Sequence, residues 1–330
     1  MEYVTVDGLP PVSKVGLGTM RFGEKTFDPQ LARDLVRRAL ELGINHFDTA
    51  ENYGRGRSER LLGEALTAEG VTNAVVTSKY APLMPLPAVI ERHARASRSR
   101  LGLARIPLYL LHMPNPLVPG RVIMGGFGRA REGDVIGAAG VSNHSLSQWQ
   151  AAEAALGHPI AANEILLNLL HRRPLDDLVP WAGRNGRLII TASPLGQGML
   201  TGRYDHDHLP AGLSWSRRLA LRYSSLPPTE ANLRRLAPLL ELLRAIAARH
   251  DTTPAAIALA WAIGHHPVVV IPGASTISQL EANAAAADIA LTQADHQALT
   301  EIASDLSRSS GQAEPGGHDG TLGDHRRSGG

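Results

Sequence analysis

The sequence predicts an α/β protein: one (β/α)8 (TIM) barrel domain over residues 1–308 with an added C-terminal helix, then a disordered Gly-rich tail over 309–330. Three observations carry this. Eight short runs rich in β-branched residues alternate with longer amphipathic stretches. The first five runs begin roughly 30 residues apart, the length of a strand, a helix and two short loops. The Gly-x-Gly-x-x-Gly turn that a doubly wound dinucleotide fold needs is missing, because Gly16-Leu-Gly18 continues as Thr-Met-Arg. Eight β-then-α units with right-handed crossovers close most naturally into a barrel.

The predicted strands are Val15–Met20, Ile44–Thr49, Ala74–Tyr80, Pro107–His112, Val135–Val141, Ala161–Leu166, Leu188–Ser193 and Val268–Pro272. The first helix is read over Leu31–Leu42, with Asp28 as its cap, Gly43 as its stop and Leu31, Leu35, Ala39 and Leu42 on one face. The helix after the fourth strand runs through Ile123–Arg131 and contains Gly125, Gly126 and Gly128. Each interior glycine costs about 0.5–1 kcal/mol against alanine, so this element is expected to be locally weak and open to movement or to remodelling by a partner. Residues 196–230 form an insertion after the seventh strand, and 292–306 read as the added helix. Within the insertion, Asp205-His-Asp-His208 reads as a solvated loop rather than a metal cluster, and no metal site is expected. His265-His266 precede the eighth strand, at the bottom of the barrel, and are assigned to packing and solubility. The tail from Ser309 lacks apolar periodicity, hence the expectation of disorder.

Composition narrows the partners. Hydrophobic residues make up 43% and charged residues 19%, which suits a globular core. A formal charge of +2 without a basic stripe argues against nucleic acid. No apolar run is long enough for a membrane span and no secretory leader is visible. Cysteine is absent, which a reducing compartment permits, so the protein is expected to be soluble and cytoplasmic. Only three lysines, Lys14, Lys25 and Lys79, stand in an arginine-rich background.

Barrel chemistry sits where the strands end. The second strand ends in Phe47-Asp48-Thr49 with Tyr53 just beyond, the third in Thr77-Ser78-Lys79, and the fourth in Leu110-Leu111-His112. Singly, Asp48 reads equally well as a cap, His112 as a core histidine, Lys79 as a rim lysine and Tyr53 as an amphipathic wall. Together they read differently, since Lys and Asp after apolar strands are costly unless paired. A Lys79–Asp48 pair beside a phenol is expected to lower the Tyr53 pKa and make it a proton donor and acceptor. The His112 imidazole is expected to orient a carbonyl oxygen.

With these residues in view, the sequence resembles the aldo/keto reductase family. The matching stretches, in family order, are Gly16-Leu-Gly-Thr-Met20, Phe47-Asp-Thr-Ala-Glu-Asn-Tyr53-Gly, Ser58-Glu59 with Leu62-Gly63 and Ala65-Leu66, Thr77-Ser-Lys79, Leu110-Leu-His112, Gly140-Val-Ser-Asn143, Ser193-Pro-Leu195 and Ile271-Pro-Gly273. They cover residues from about 13 to 305. The resemblance implies that Tyr53 is the general acid/base, Lys79 and Asp48 tune it, and His112 orients a small-molecule carbonyl substrate. It implies a nicotinamide cofactor held by Gly18, Thr19, Met20, Asp48, Ser142, Asn143, Glu164, Ser193, Leu195, Gly196, Gly198, Gly273, Ser275, Gln279 and Asn283. Two positions depart from the pattern: residue 164 is Glu where the family has Gln, and Ala192 stands where an aromatic ring usually stacks. Relatives often carry Arg or Lys near 274–279 for the adenosine 2′-phosphate, whereas this chain has Ala-Ser-Thr-Ile-Ser-Gln. NADPH is the implied cofactor, with NADH as the alternative.

Apolar Met20, Phe22, Met113 and Leu117 near the mouth point to a partly apolar substrate, with Phe22 and Met113 joining Tyr53 and His112 at its wall. Two other readings stay open: a cofactor-binding regulatory or accessory subunit with little turnover, and a barrel hydrolase or lyase. Oligomeric state is not legible.

Overall fold

All eight predicted strands lie in one parallel sheet, and each pairs with the next in chain order. The structure is a computed structural model and describes residues 1–84, 86–204 and 229–308. The Asp205–His208 cluster and the tail over 309–330 lie outside the described residues. A short antiparallel hairpin, β1 (Tyr3–Val4) and β2 (Val12–Ser13), precedes the barrel. The barrel strands are β3 (Leu17–Gly18), β4 (His46–Asp48), β5 (Val75–Tyr80), β6 (Ile106–Leu111), β7 (Ile136–Ser142), β8 (Ala162–Leu166), β9 (Leu188–Ala192) and β10 (Val268–Val270). Parallel bridges Val15–Val270 and Gly18–Gly273 join the first strand to the last and curl the sheet into a ring. β3 is shorter than expected because Thr19 turns out of the sheet, its backbone N–H and its hydroxyl both donating to the Asp48 carbonyl at 2.8 Å.

The helices are α1 (Pro29–Glu41), α2 (Arg57–Ala68), α3 (Pro87–Leu101), α4 (Gly120–Glu132), α5 (Leu146–Leu156), α6 (Leu178–Arg184), α7 (Glu230–Arg249), α8 (Pro254–Ile263), α9 (Ile277–Ala284) and α10 (Gln293–Arg308). Asp28 caps α1 as expected, accepting from the Gln30 N–H at 2.9 Å. α10 is the added helix. Its Thr300 accepts from the Trp261 indole at 3.0 Å, and His265 packs edge-on against Trp261 and His296. Among the described residues, no helix is long and apolar enough to cross a membrane.

Two buried layers follow from strand alternation. Outward residues such as Phe47, Val76, Tyr109, Leu111 and Ile189 pack under the helices. Inward residues, Val75, Leu108, Leu110, Ala162, Leu188, Ile190 and Val269 among them, fill the barrel together with Val4, Val6, Leu9 and Val12 of the hairpin. The hairpin therefore plugs the bottom. It is tied there by Asn45, which bonds Ser13 and Pro11, and by Asp7 N–H to the Gly186 carbonyl.

α4 is a continuous helix, and its glycines differ in what surrounds them. A Cβ on Gly126 lands 2.7 Å from Ile90 of α3, so this glycine permits the two helices to touch. At Gly125 and Gly128 the nearest atoms are 3.9 Å away. Gly125→Ala and Gly128→Ala should each raise stability by about 0.5–1 kcal/mol in urea unfolding, whereas Gly126→Ala should lower it.

Candidate active site

The inward-facing row at the top of the barrel is polar where the rows below are apolar apart from buried His46 and Thr77, which share a hydrogen bond at 3.0 Å. Asp48 ends β4 and Lys79 lies on β5, both facing inward and both buried, at 3% and 0% exposure. The Lys79 ammonium donates to Asp48 Oδ1 and Oδ2, each at 2.7 Å, and to the Thr49 carbonyl at 3.0 Å. Asp48 is thus a counter-ion and not a cap. Lys79 Nζ also stands over the Tyr53 ring, 5.3 Å from its centroid. The Tyr53 and His112 rings meet edge to face with centroids 6.0 Å apart. The four residues expected to converge do so.

The loops that present them are built without slack. Gly23 and Gly54 pass back to back: a Cβ on Gly54 lands 2.1 Å from the Gly23 carbonyl oxygen, and Gly54 has φ +60°. Arg57 of α2 ties the same turn down by donating to the Glu24 and Phe27 carbonyls at 3.0 and 2.9 Å. Beneath it, the Ser58 hydroxyl bonds Thr19 and Thr49 at 2.8 and 2.9 Å. Buried Glu59 accepts from Ser78 at 2.6 Å and pairs with Arg100 at 2.5 Å, fixing β5 beside Lys79. The Ser58-Glu59 motif is therefore the brace for this loop, a role the sequence alone did not reveal.

Glu164 occupies a place that sequence reasoning only half anticipated. It faces inward from β8, paired in register with Ser142 of β7, and its Oε2 lies 3.1 Å from Lys79 Nζ. It is 4% exposed, and among the described residues that oxygen has no directed hydrogen bond. One ammonium thus serves two carboxylates. Strand alternation on β8 was the available signal, since it sets residues 162 and 164 inside the barrel.

The electrostatics follow. Burial pulls the Lys79 ammonium down, but Asp48 and Glu164 outweigh it and hold its pKa above the ordinary range. Burial, with help from Asp48, pushes the Glu164 carboxyl up to about 8. The expected lowering of the Tyr53 pKa does not hold. Burial raises it, and the pull of Lys79 is opposed by Asp48 and Glu164. Burial and the Lys79 charge push His112 down to about 3, so its imidazole is neutral at physiological pH. His112 Nδ1 has no hydrogen-bond partner among the described residues.

The remaining expected positions surround this centre. Asn143 takes a left-handed turn, φ +59°, with its N–H on the Glu164 carbonyl at 2.8 Å and its amide on Ser142 Oγ at 2.9 Å. Ser193, Leu195, Gly196 and Gly198 lie on the loop after β9, where Gln197 donates to Ser193 Oγ at 2.6 Å. Gly273 and Ser275 lead into α9, whose Gln279 accepts from the Ser275 N–H at 2.9 Å, and Asn283 is buried within that helix. Gly18 must be glycine, for a Cβ there lands 2.6 Å from the Ile271 carbonyl. The guanidinium of Arg21, not foreseen as part of this region, reaches across to the Ser275 hydroxyl. Met20 and Met113 are exposed at the mouth. Phe22, expected beside them, is instead 1% exposed and packs on Phe27 in the outer core, 5.0 Å between ring centroids, so it is a packing residue.

The sequence profile of the aldo/keto reductase family matches residues 14–304. The chain belongs to the aldo/keto reductase family. By that membership it is an oxidoreductase. A protein of Mycobacterium tuberculosis named as an uncharacterized oxidoreductase is 50% identical over 309 residues, covering 92% of this chain and 93% of the relative. The NADH-specific methylglyoxal reductase of Escherichia coli is 28% identical over 90% of this chain and 96% of its own length. A crystal structure of an aldo/keto reductase from Klebsiella pneumoniae with NADP and acetate superposes with a TM-score of 0.73 at 26% identity, covering 92% of this chain and 95% of the other.

The donor set suits a nicotinamide. The Ser142 hydroxyl and the Asn143 amide offer hydrogen bonds to a planar carboxamide. Glu164 accepts from an amide NH2 when ionised and can also donate when protonated. The His112 ring stands at the same centre, edge to face with Tyr53.

The raised Glu164 pKa has a testable sign. An unfolded Glu164 loses its proton near its ordinary 4.5 and the folded one near 8, so between them the native state holds the extra proton. Stability of the ligand-free protein should therefore fall as pH rises through this window, and the slope should be shallower in Glu164→Gln. Melting temperatures measured between pH 5 and 8 check this.

Proposed function

We propose that the protein reduces an aldehyde or ketone to the alcohol with NADPH, Tyr53 supplying the proton. The observation that carries the reading is the buried Lys79–Asp48 pair beside Tyr53 and His112. When bound, the cofactor supplies the hydride that reduces the carbonyl carbon. Tyr53 gives its hydroxyl proton to the carbonyl oxygen as negative charge develops there, and solvent later restores it. The raised phenol pKa keeps the proton in place until that moment, and Lys79 stabilises the phenolate left behind. His112, neutral at this depth, donates from one ring nitrogen to the same oxygen and orients it.

Ser142, Asn143 and Glu164 are assigned to the carboxamide, and the turns at Gly196–Gly198 and Gly273–Asn283 to the phosphates. Arg21 beside Ser275 favours NADPH over NADH, because a guanidinium is suited to a phosphate monoester. Met20, Leu83, Met84, Leu86, Met113 and Leu117 are exposed on the loops after β3, β5 and β6. This apolar rim favours carbonyl compounds with an apolar body.

Nicotinamide absorbance with NADPH and a panel of aldehydes and ketones tests the reading. Wild type should turn over, most efficiently with apolar members, while Tyr53→Phe should lose several orders of magnitude in kcat and keep its NADPH affinity. Retention of a tenth of the wild-type rate in Tyr53→Phe would remove Tyr53 as proton donor. Arg21→Met should weaken NADPH binding roughly tenfold and leave NADH binding nearly unchanged, as read by fluorescence titration.

A further inference from the structure

We propose that Glu164 is a proton-exchanging counter-ion that distinguishes the two redox states of the cofactor: binding of the oxidised, cationic nicotinamide expels a proton from its carboxyl group, and binding of the reduced, neutral nicotinamide does not. The inference rests on the cofactor assignment above. It starts from an imbalance of charge in a dry place. Asp48 and Glu164 are both buried, and among the described residues the ammonium of Lys79 is the single cation paired with them.

Lys79 has already committed its hydrogens. Both Asp48 oxygens lie at 2.7 Å and the Thr49 carbonyl at 3.0 Å, so among the described residues Glu164 Oε2, at 3.1 Å, has no directed bond from Lys79, and the Glu164 carboxyl meets that of Asp48 instead. The ionisable groups that act on Glu164 from the packed elements are Asp48 on β4, Tyr53 beyond it and Lys79 on β5, while His46 on β4 and His112 after β6 feel the same Lys79 charge. The strands that flank it, β7 and β9, place Ser142 and Ile190 beside it and bring no charge. His46 and His112 are held neutral and add no cation here, and Tyr53 remains a phenol and adds no anion.

A second anion at such depth has two ways to be neutralised: a proton or a cationic ligand. The ligand-free protein takes the first, consistent with the upward shift of the Glu164 pKa. The oxidised nicotinamide ring is a pyridinium with unit positive charge and offers the second, whereas the reduced ring is neutral and offers nothing to a carboxylate. The exchange balances, with one positive charge entering as the ring and one leaving to solvent as the proton. By linkage, affinity for the oxidised form rises with pH until Glu164 is ionised, and affinity for the reduced form does not. A glutamine at this position has no proton to give.

Calorimetric titration of the full-length protein with NADP+, NADPH, NAD+ and NADH, in phosphate and in Tris at pH 7, tests this by a readout independent of turnover. The buffer dependence of the heat counts protons. Comparing oxidised with reduced forms cancels the titration of the adenosine phosphate, which both share. We expect close to one more proton released per oxidised than per reduced cofactor, and an affinity for the oxidised form that strengthens up to about tenfold per pH unit from pH 6 to 8. Glu164→Gln should abolish both differences. Equal proton release for the two redox forms of the wild type overturns the proposal, whatever the variant does. So does a difference that survives in Glu164→Gln, which would assign the proton to another group such as Asp48. Failure of every cofactor to bind overturns the proposed function and this inference together.

Discussion

The ammonium of Lys79 is the charge on which the site is organised. A barrel interior packed with Leu, Ile and Val cannot hold a lone cation, so the lysine is stable there only because Asp48 closes on it with both oxygens at 2.7 Å. The choice of lysine in an arginine-rich chain has a geometric basis. A compact ammonium with three donors can serve ligands on β4 and β8 at once, whereas a planar guanidinium demands a flat, bidentate partner. The same charge helps keep His112 neutral and limits how far the Tyr53 pKa rises. Its field is felt by each polar group around it, and each answers according to how much water it has lost.

Such a site tolerates little movement, and the surrounding structure supplies the stiffness. The close-packed rows below, apolar but for the bonded His46–Thr77 pair, leave the polar row nowhere to sink. Above, the turn carrying Tyr53 is pinned from two directions, by the contact of Gly23 with Gly54 and by Arg57 on the carbonyls beneath it. Buried Glu59 and half-buried Arg100 form a second ion pair one step outside the ring. It does no chemistry itself and holds β5 in register with the loop it faces.

The frame and the inward placing of Asp48 and Lys79 were legible because both follow from alternation along strands. Residues 46 and 48, 77 and 79, and 162 and 164 face inward by parity alone, and Asp48 and Lys79 fall at or next to their strand ends. What stayed hidden depends on distance across the ring, which parity does not report. The contact of Glu164 with Lys79 spans β5 to β8, and the reach of Arg21 to Ser275 spans the first and last loops. Phe22 misled for a related reason: its neighbour Met20 is exposed, and only the tight turn over Met20–Gly23 folds one side chain outward and the next under Phe27. The hairpin at the bottom escaped notice because two-residue strands carry no periodicity. The glycines of α4 look alike in sequence, and only the nearness of Ile90 separates one from its neighbours.

The closure of the ring by Val15 on Val270 and Gly18 on Gly273 has a consequence for how the protein is made. The barrel strand that emerges first from the ribosome is completed last. Until some 250 residues more have been synthesised, β3 has β4 on one side and an unsatisfied edge on the other. Bringing ends so far apart together costs loop entropy before any contact rewards it, which favours late and slow closure. During that interval the apolar rows are open along one seam, and the nascent chain is at its most vulnerable to association with its own copies.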